Sequence, residues 1–271
     1  MNHADITANT ADRTLTLTGG AEEIVTAFRM CKISKVHELK GKFHLAPTDT
    51  MKGLNIRKVD PKDADAVFKI FKPFTSIHQA SLALPFVDEA RKSLVSTDGK
   101  AMLFCDTPEG LTIEKAKGGG FCTDATYCPN WTIVLNGCNR ENTPCALKDF
   151  KCLGEVEKGG DLHNIISISA ACAKAYRHID GNGLFHNLYL WIGENQYDPA
   201  TIGELVDALF RLGCDKVGFY YPKYGYSYKP LHLVGFGNGL NARGLLMPMR
   251  FPSTEQGGIE LPLTAKAAKA A

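Results

Sequence analysis

Two stretches of this chain, about half its length apart, spell the same unit: Val59-Asp60-Pro61 and Tyr197-Asp198-Pro199 each open an amphipathic run that leads into strand-like sequence. In the first, Asp60 can accept hydrogen bonds from the free backbone N–H groups and Pro61 suits the first helical position. Val67, Ile70, Phe71 and Phe74 form the apolar stripe, and Pro73 ends the run at about Lys72. In the second, Asp198 caps a helix from Pro199 to Leu212, with Ile202, Leu205, Val206 and Leu209 inward and Gly213 as the stop. Val67, Phe68 and Phe71 correspond to Leu205, Val206 and Leu209. An internal repeat at this spacing predicts two similar domains in 271 residues.

Two further stretches have helical periodicity. Ile24, Ala27, Phe28 and Cys31 recur at three- and four-residue steps in Ala21 to Cys31, and Ile168, Cys172, Ala175 and Ile179 do so in Asn164 to Ile179. Strand-like sequence follows each copy of the repeat: Ser81 to Val87 and Ser93 to Cys105 after the first, then Lys216 to Tyr221, Lys229 to Val234 and Leu245 to Arg250 after the second. Helices followed by hairpin-linked strands predict an α+β fold with helices on one face of antiparallel sheets. Gly118 to Gly120, Gly159-Gly160 and Gly235 to Gly239 mark turns, and the polar stretch 136–163 suits a junction. The expected division is residues 1–135 and residues 136–271.

Composition narrows the function classes. Hydrophobic residues are 44% and charged residues 22%, which excludes a disordered chain. A net charge of +2 does not announce a nucleic-acid binder, so a bound polyanion needs a locally basic face. No apolar run approaches the roughly 18 residues of a membrane span, and MNHADITANTADRT has no apolar signal core; an intracellular protein without membrane contact is expected. The nine cysteines then read as reduced thiols, with Cys31, Cys172 and Cys214 in apolar context as small core residues. Cys122, Cys128, Cys138, Cys145 and Cys152 lie close enough together to raise zinc. Their gaps of five, nine, six and six residues contain no CxxC knuckle, and no metal or cofactor is expected.

Catalytic signatures are missing from the sequence: there is no GxSxG, no HExxH and no Gly-rich loop ending in GK[ST]. Gly235-Phe236-Gly237-Asn238-Gly239 lies between strand-like segments, away from any helix start, and reads as a hairpin loop. The eight histidines are scattered, none in a recognised nucleophile motif.

The last third carries a resemblance. Tyr197-Asp198-Pro199, then Leu205-Val206-Asp207-Ala208-Leu209, Leu212-Gly213-Cys214-Asp215-Lys216-Val217, Lys229-Pro230-Leu231 and finally Leu245-Leu246-Met247-Pro248-Met249-Arg250 resemble the end of the bacterial beta sliding clamp. The closing Met-Pro-Met-Arg, on what should be a last strand, is the most specific element. Leu94-Val95-Ser96-Thr97-Asp98-Gly99-Lys100-Ala101-Met102 is similar to that family's "ATDGHRL" strand and turn, and Cys128-Pro129-Asn130-Trp131-Thr132-Ile133-Val134 to its "FPDYRRV" linker. The resemblance covers roughly residues 59–135 and 190–252, in a short version of the kind expected of a phage or mobile element. The first 50 residues carry no part of it.

The resemblance implies a non-catalytic processivity factor that encircles duplex DNA, in the cytoplasm of a bacterial host. In that family the three motifs line an apolar groove between adjacent domains, where polymerase and clamp-loader peptides insert Leu and Phe anchors. Carried over by position, the wall is Thr97, Gly99, Lys100, Ala101, Met102, Pro129, Ile133, Val134, Leu245, Met247, Pro248, Met249 and Arg250. Methionines suit such a wall because they repack around varied apolar groups. The family's His-Arg-Leu is Lys100-Ala101-Met102 here and a linker arginine is Ile133, so the groove should be less polar. The ring has six similar domains with helices facing the hole; two domains per chain imply a homotrimer, with a homodimer as the alternative. Cations on or beside the less apolar helix faces, Arg29, Lys32, Lys69, Lys72, Lys174, Arg177 and Arg211, are the candidates to face DNA without reading its sequence. Two other readings stay open: a clamp-fold interaction module or inhibitor that does not encircle DNA, and a metal-dependent enzyme using the cysteine cluster.

Overall fold

A computed structural model describes residues 4–11, 14–33, 42–49, 56–89, 92–112, 120–123, 150–176, 178–179, 185–186, 188–193, 195–222, 230–237, 239–249 and 258–263. The chain starts with β1 Asp5–Asn9, β2 Thr14–Gly19, α1 Ala21–Ile33, β3 Lys42–Pro47 and α2 Ala64–Phe71, followed by β4 Phe86–Asp88, β5 Ser93–Thr97 and β6 Ala101–Asp106. Next come β7 Phe150–Glu157, α3 Asp161–Tyr176, β8 His178–Ile179, β9 Phe185–His186, β10 Tyr189–Ile192 and β11 Asn195–Tyr197. The last elements are α4 Pro199–Arg211, β12 Lys216–Pro222, β13 Leu231–Phe236, β14 Arg243–Leu246 and β15 Gly258–Glu260. The fold is α+β. No helix among the described residues is long and apolar enough to cross a membrane.

The chain divides into two compact units, and neither is a sequence half. One comprises Met1–Ile56, Val156–Glu204 and Pro248–Ala271; the other comprises Arg57–Glu155 and Leu205–Met247. The cause is long-range pairing. The six-stranded sheet of the first unit runs β1-β2-β3-β15-β10-β11 and the seven-stranded sheet of the second runs β4-β5-β6-β14-β13-β12-β7, so each sheet takes strands from both 1–135 and 136–271.

In the first unit Leu15, Phe43, Ile259, Leu190 and Tyr197 are successive cross-strand partners and so share one face. Phe28 of α1 meets Phe43 edge-on, with ring centroids 5.7 Å apart, which puts the helix on that face. This sheet is mixed: β2, β3, β15 and β10 run parallel, so antiparallel pairing holds only at its margins. β15 is three residues long, and Ile259 is fully buried, a burial that contributes about 1.5–3 kcal/mol. Gly258 is required there, because a Cβ would fall 2.5 Å from the Trp191 indole. Glu260 is tied to Lys42 at 3.1 Å and approaches His44 at 3.5 Å.

In the second unit the ladders β4-β5-β6-β14-β13-β12 are all antiparallel. Ser96, Leu103, Gly244, Leu233 and Phe219 are successive partners on the helix-covered face. The Ser96 hydroxyl donates to the Phe71 carbonyl of α2 at 2.8 Å, and Leu205 of α4 lies against Gly244, where a Cβ would meet its side chain at 3.1 Å. Helices therefore pack on one face of this sheet, as the strand and helix pattern predicts.

Local signals explain several helix ends. Asp198 accepts from Ala200 and Thr201 N–H groups, both at 3.3 Å, and the α4 helix stops at Gly213, whose φ is +96°. α2 departs from its expected start. Asp60 accepts from Lys62 N in a turn that holds Pro61, and Asp63 caps the helix through Ala66 N at 3.1 Å. Val67, Ile70, Phe71 and Phe74 are buried as expected. α3 covers Asp161–Tyr176, shifted three residues toward the N-terminus from the expected span, so Ile179 falls in β8 instead. The stretch Leu245 to Arg250 is not a strand throughout: β14 ends at Leu246.

His232, opposite Tyr220 in the β12–β13 ladder, lies tilted at 60° against Phe150, with ring centroids 4.5 Å apart. Burial, reinforced by the positive charge of Arg243, lowers its pKa to about 4 from 6.5. The folded imidazole stays neutral where the unfolded one takes a proton, so stability present above pH 6.5 is lost as pH falls toward 4. Between pH 7 and 4.5 this residue should cost the fold on the order of 2 kcal/mol. Urea midpoints for wild type and His232→Phe across that range should differ accordingly; parallel curves would show that the ring does not titrate this way.

Candidate functional site

The hairpin β5–β6 turns through Thr97-Asp98-Gly99-Lys100-Ala101, and the motif is turn chemistry. Asp98 Oδ1 accepts from Lys100 N at 2.8 Å and Ala101 N at 2.7 Å. The Thr97 hydroxyl donates to the Ala101 carbonyl at 2.6 Å and accepts from Gly99 N at 3.0 Å. Gly99 has φ +88°, a left-handed conformation that a side chain disfavours. The result is a rigid loop with Gly99 and Lys100 exposed at its tip.

β14 lies beside this hairpin. Leu245 is opposite Met102 and Leu246 opposite Ala101, and Met247 N donates to the Lys100 carbonyl at 2.8 Å, extending the ladder one step past the strand. Alternation sorts the expected wall residues. Thr97, Met102 and Leu245 occupy the face away from α2 and α4, where Phe86, Val95, Met102, Phe104 and Leu245 form a buried apolar cluster with Leu82 and Cys122 against it. Ala101 is on the other face, with Leu103 and Ser96, so its side chain belongs to the helix-covered core and not to this cluster. Met247 continues the Leu245 face and is 40% exposed, one of few large apolar side chains in the open.

Pro248 and Met249 fall in the first unit, where Met249 N donates to the Gln196 carbonyl at 3.0 Å; Pro248 is buried and Met249 partly so. Pro129, Ile133, Val134 and Arg250 lie outside the described residues. Sequence reasoning missed Phe86, Val95 and Phe104. Counting by twos from Thr97 and Met102 along their strands would have found the last two.

The expected cations are distributed over both units. Arg29 on α1 and Lys174 on α3 are exposed; Lys174 pairs with Glu204 at 3.8 Å, and the Arg29 charge reaches the buried Cys172 thiol, opposing the rise that burial imposes on its pKa. Lys69, Lys72 and Arg211 are exposed in the second unit, where Lys72 Nζ donates to the Ala83 carbonyl at 2.9 Å. The Lys32 side chain and Arg177 lie outside the described residues. So do Cys128, Cys138 and Cys145; among the described residues no three His, Cys, Asp or Glu side chains are grouped to hold a metal, and Cys122 and Cys152 are in no disulfide.

No protein-family model matches the sequence, and no protein of curated function matches it. Solved structures that resemble the chain include DNA polymerase III subunit beta from Borrelia burgdorferi in complex with a natural product, at 15% identity and TM-score 0.38, over 71% of this chain and 62% of that one. Another is the DNA polymerase III beta chain from Streptococcus pneumoniae, at 13% identity and TM-score 0.37, over 75% of this chain and 68% of that one. The chain thus spans less than two thirds of the Borrelia protein's length.

Proposed function

We propose that the chain is a sliding clamp: a non-catalytic ring subunit that holds duplex DNA topologically and tethers a polymerase and clamp-loader peptides. The observation that carries this reading is the register of two sequence-distant motifs. The Thr97–Met102 hairpin and Leu245–Met247 lie side by side, with exposed Met247 adjoining a buried apolar cluster that a peptide's Leu or Phe can extend. The proposed groove comprises Thr97, Gly99, Lys100, Met102, Leu245 and Met247, all in the second unit, with Pro129, Ile133, Val134, Pro248, Met249 and Arg250 assigned by resemblance. The division into clamp-like domains at residues 1–135 and 136–271 is part of the same proposal, although each half contributes strands to both sheets. Arg29, Lys32, Lys69, Lys72, Lys174, Arg177 and Arg211 meet phosphates without reading bases. The bacterial cytoplasm and a phage or mobile-element origin belong to the same proposal.

Closure of six domains requires three copies, or two if the ring is smaller. Sedimentation at micromolar concentration should give a trimer, and the assembled protein should stay on nicked circular DNA and leave when the circle is linearised. A monomer that binds the peptide but is not retained on circles would replace the ring with the non-encircling interaction module.

A further inference from the structure

The last turn of α4 is satisfied by main chain alone. The carbonyls of Ala208, Leu209, Phe210 and Arg211 accept from the N–H groups of Leu212, Cys214, Gly213 and Val59, at 2.9, 3.1, 3.1 and 2.9 Å. The last of these bonds brings the segment before α2 against the end of α4. Lys58 crosses Gly213, whose φ of +96° and missing side chain leave the path open. A Cβ there would fall 2.6 Å from Lys58 Cε and 3.0 Å from its Nζ. Arg57, Lys58 and Arg211 are all exposed, and all three belong to the second unit.

Three cations gathered at one helix end repel one another and call for an anion. None of the three is in an ion pair among the described residues, whereas Lys42, Lys174 and Lys216 each pair with a glutamate. The acids nearest in sequence are placed otherwise: Asp60 accepts from Lys62 N in its turn, and Asp215 lies against Gly237. Basic side chains at a helix end commonly bond its last carbonyls. The carbonyls named above are already taken, so the ordering of Lys58 over Gly213 serves a group outside the fold. Two guanidinium forks beside an ammonium suit phosphate oxygens, and exposed charges of this kind hold a backbone without reading bases.

From this we infer that Arg57, Lys58 and Arg211 form one phosphate site at the end of α4 that grips the backbone of duplex DNA, with Lys58 oriented by Gly213. The identity of the polyanion rests on the clamp reading. The test uses the full chain as wild type, Arg57→Gln/Lys58→Gln, Lys58→Arg, Gly213→Ala and Lys58→Gln with and without Gly213→Ala. Each protein is titrated with a fluorescein-labelled duplex across a salt series and with labelled polyglutamate, then assayed for retention on nicked circular DNA and for its thermal midpoint.

The Arg57→Gln/Lys58→Gln variant should bind the duplex about tenfold more weakly at low salt. Its slope of log affinity against log salt should fall by roughly 1.8, two contacts at about 0.9 each. Lys58→Arg should keep the wild-type slope. Gly213→Ala should lower it by about 0.9 and cost nothing further once Lys58 is Gln. An unchanged slope for the double variant overturns the inference, and a lowered midpoint beside it assigns Lys58 to bracing the helix end. A loss confined to polyglutamate overturns it in favour of an acidic protein segment. The expected slope change in a protein that circles do not retain upholds the site and removes the ring. Retention of wild type and double variant alike, at every salt concentration, removes the site and leaves the clamp reading in place.

Discussion

Met247→Asp should weaken peptide docking about 100-fold while moving the unfolding midpoint of the chain very little. The two halves of that result have separate causes. Met247 is 40% exposed and contributes to the ladder only through its main chain, which any residue but proline supplies. Its side chain stands beyond Leu245 on the face of the Phe86, Val95, Met102, Phe104 and Leu245 cluster, where a carboxylate would have to lose its water against an incoming apolar anchor. Met102 and Leu245 cannot serve this purpose, since they are 2% and 7% exposed and truncation would cost about 2–5 kcal/mol of stability. Calorimetric titration with the polymerase-tail peptide, beside a thermal melt, separates the cases. Unchanged affinity would remove Met247 from the groove.

Replacing Arg29, Lys69, Lys72, Lys174 and Arg211 together with Gln should shorten retention on nicked circular DNA at least tenfold at low salt without altering the sedimentation of the assembled protein. Each phosphate contact contributes roughly 0.9 to the slope of log affinity against log salt, so the variant should also lose most of its salt dependence. The Lys174–Glu204 pair does not stand against this, because both side chains are more than 40% exposed, at 61% and 46%, and such a pair is worth under about 1 kcal/mol. Lys72 gives up its bond to the Ala83 carbonyl as well, which makes Lys72→Gln alone the control for local loosening. Wild-type retention by the fivefold variant would make these cations ordinary solvated charges.

What could be read from the sequence was local. The stripes of α2 and α4, the Asp198 cap and the Gly213 stop follow from residues within one or two turns of each other. The start of α2 was misplaced because Asp60 and Asp63 can both cap, and Pro61 fits a turn as well as a first helical turn. The Thr97-Asp98-Gly99 turn was legible as a motif, but its neighbour in space was known only by resemblance, since the β6–β14 register joins residues far apart in the chain. Ala101 enters the groove by motif position alone, while strand alternation sets its side chain on the helix-covered face. The parallel insertion of β15 left no mark in Gly258-Ile259-Glu260, three residues too few for any periodicity.

The position of β15 sets an order of events during synthesis. Among the described residues, β3 pairs on its side away from β2 with β15, and β15 is in turn the sheet's link to β10. Ribosomes add roughly 5–20 residues per second. The strands made first must therefore wait many seconds, with the Phe43 edge unsatisfied, until Ile259 has been translated and has cleared the exit tunnel. A nascent chain stalled short of that point should be the species that chaperones hold, and β15 is the strand that lets it go.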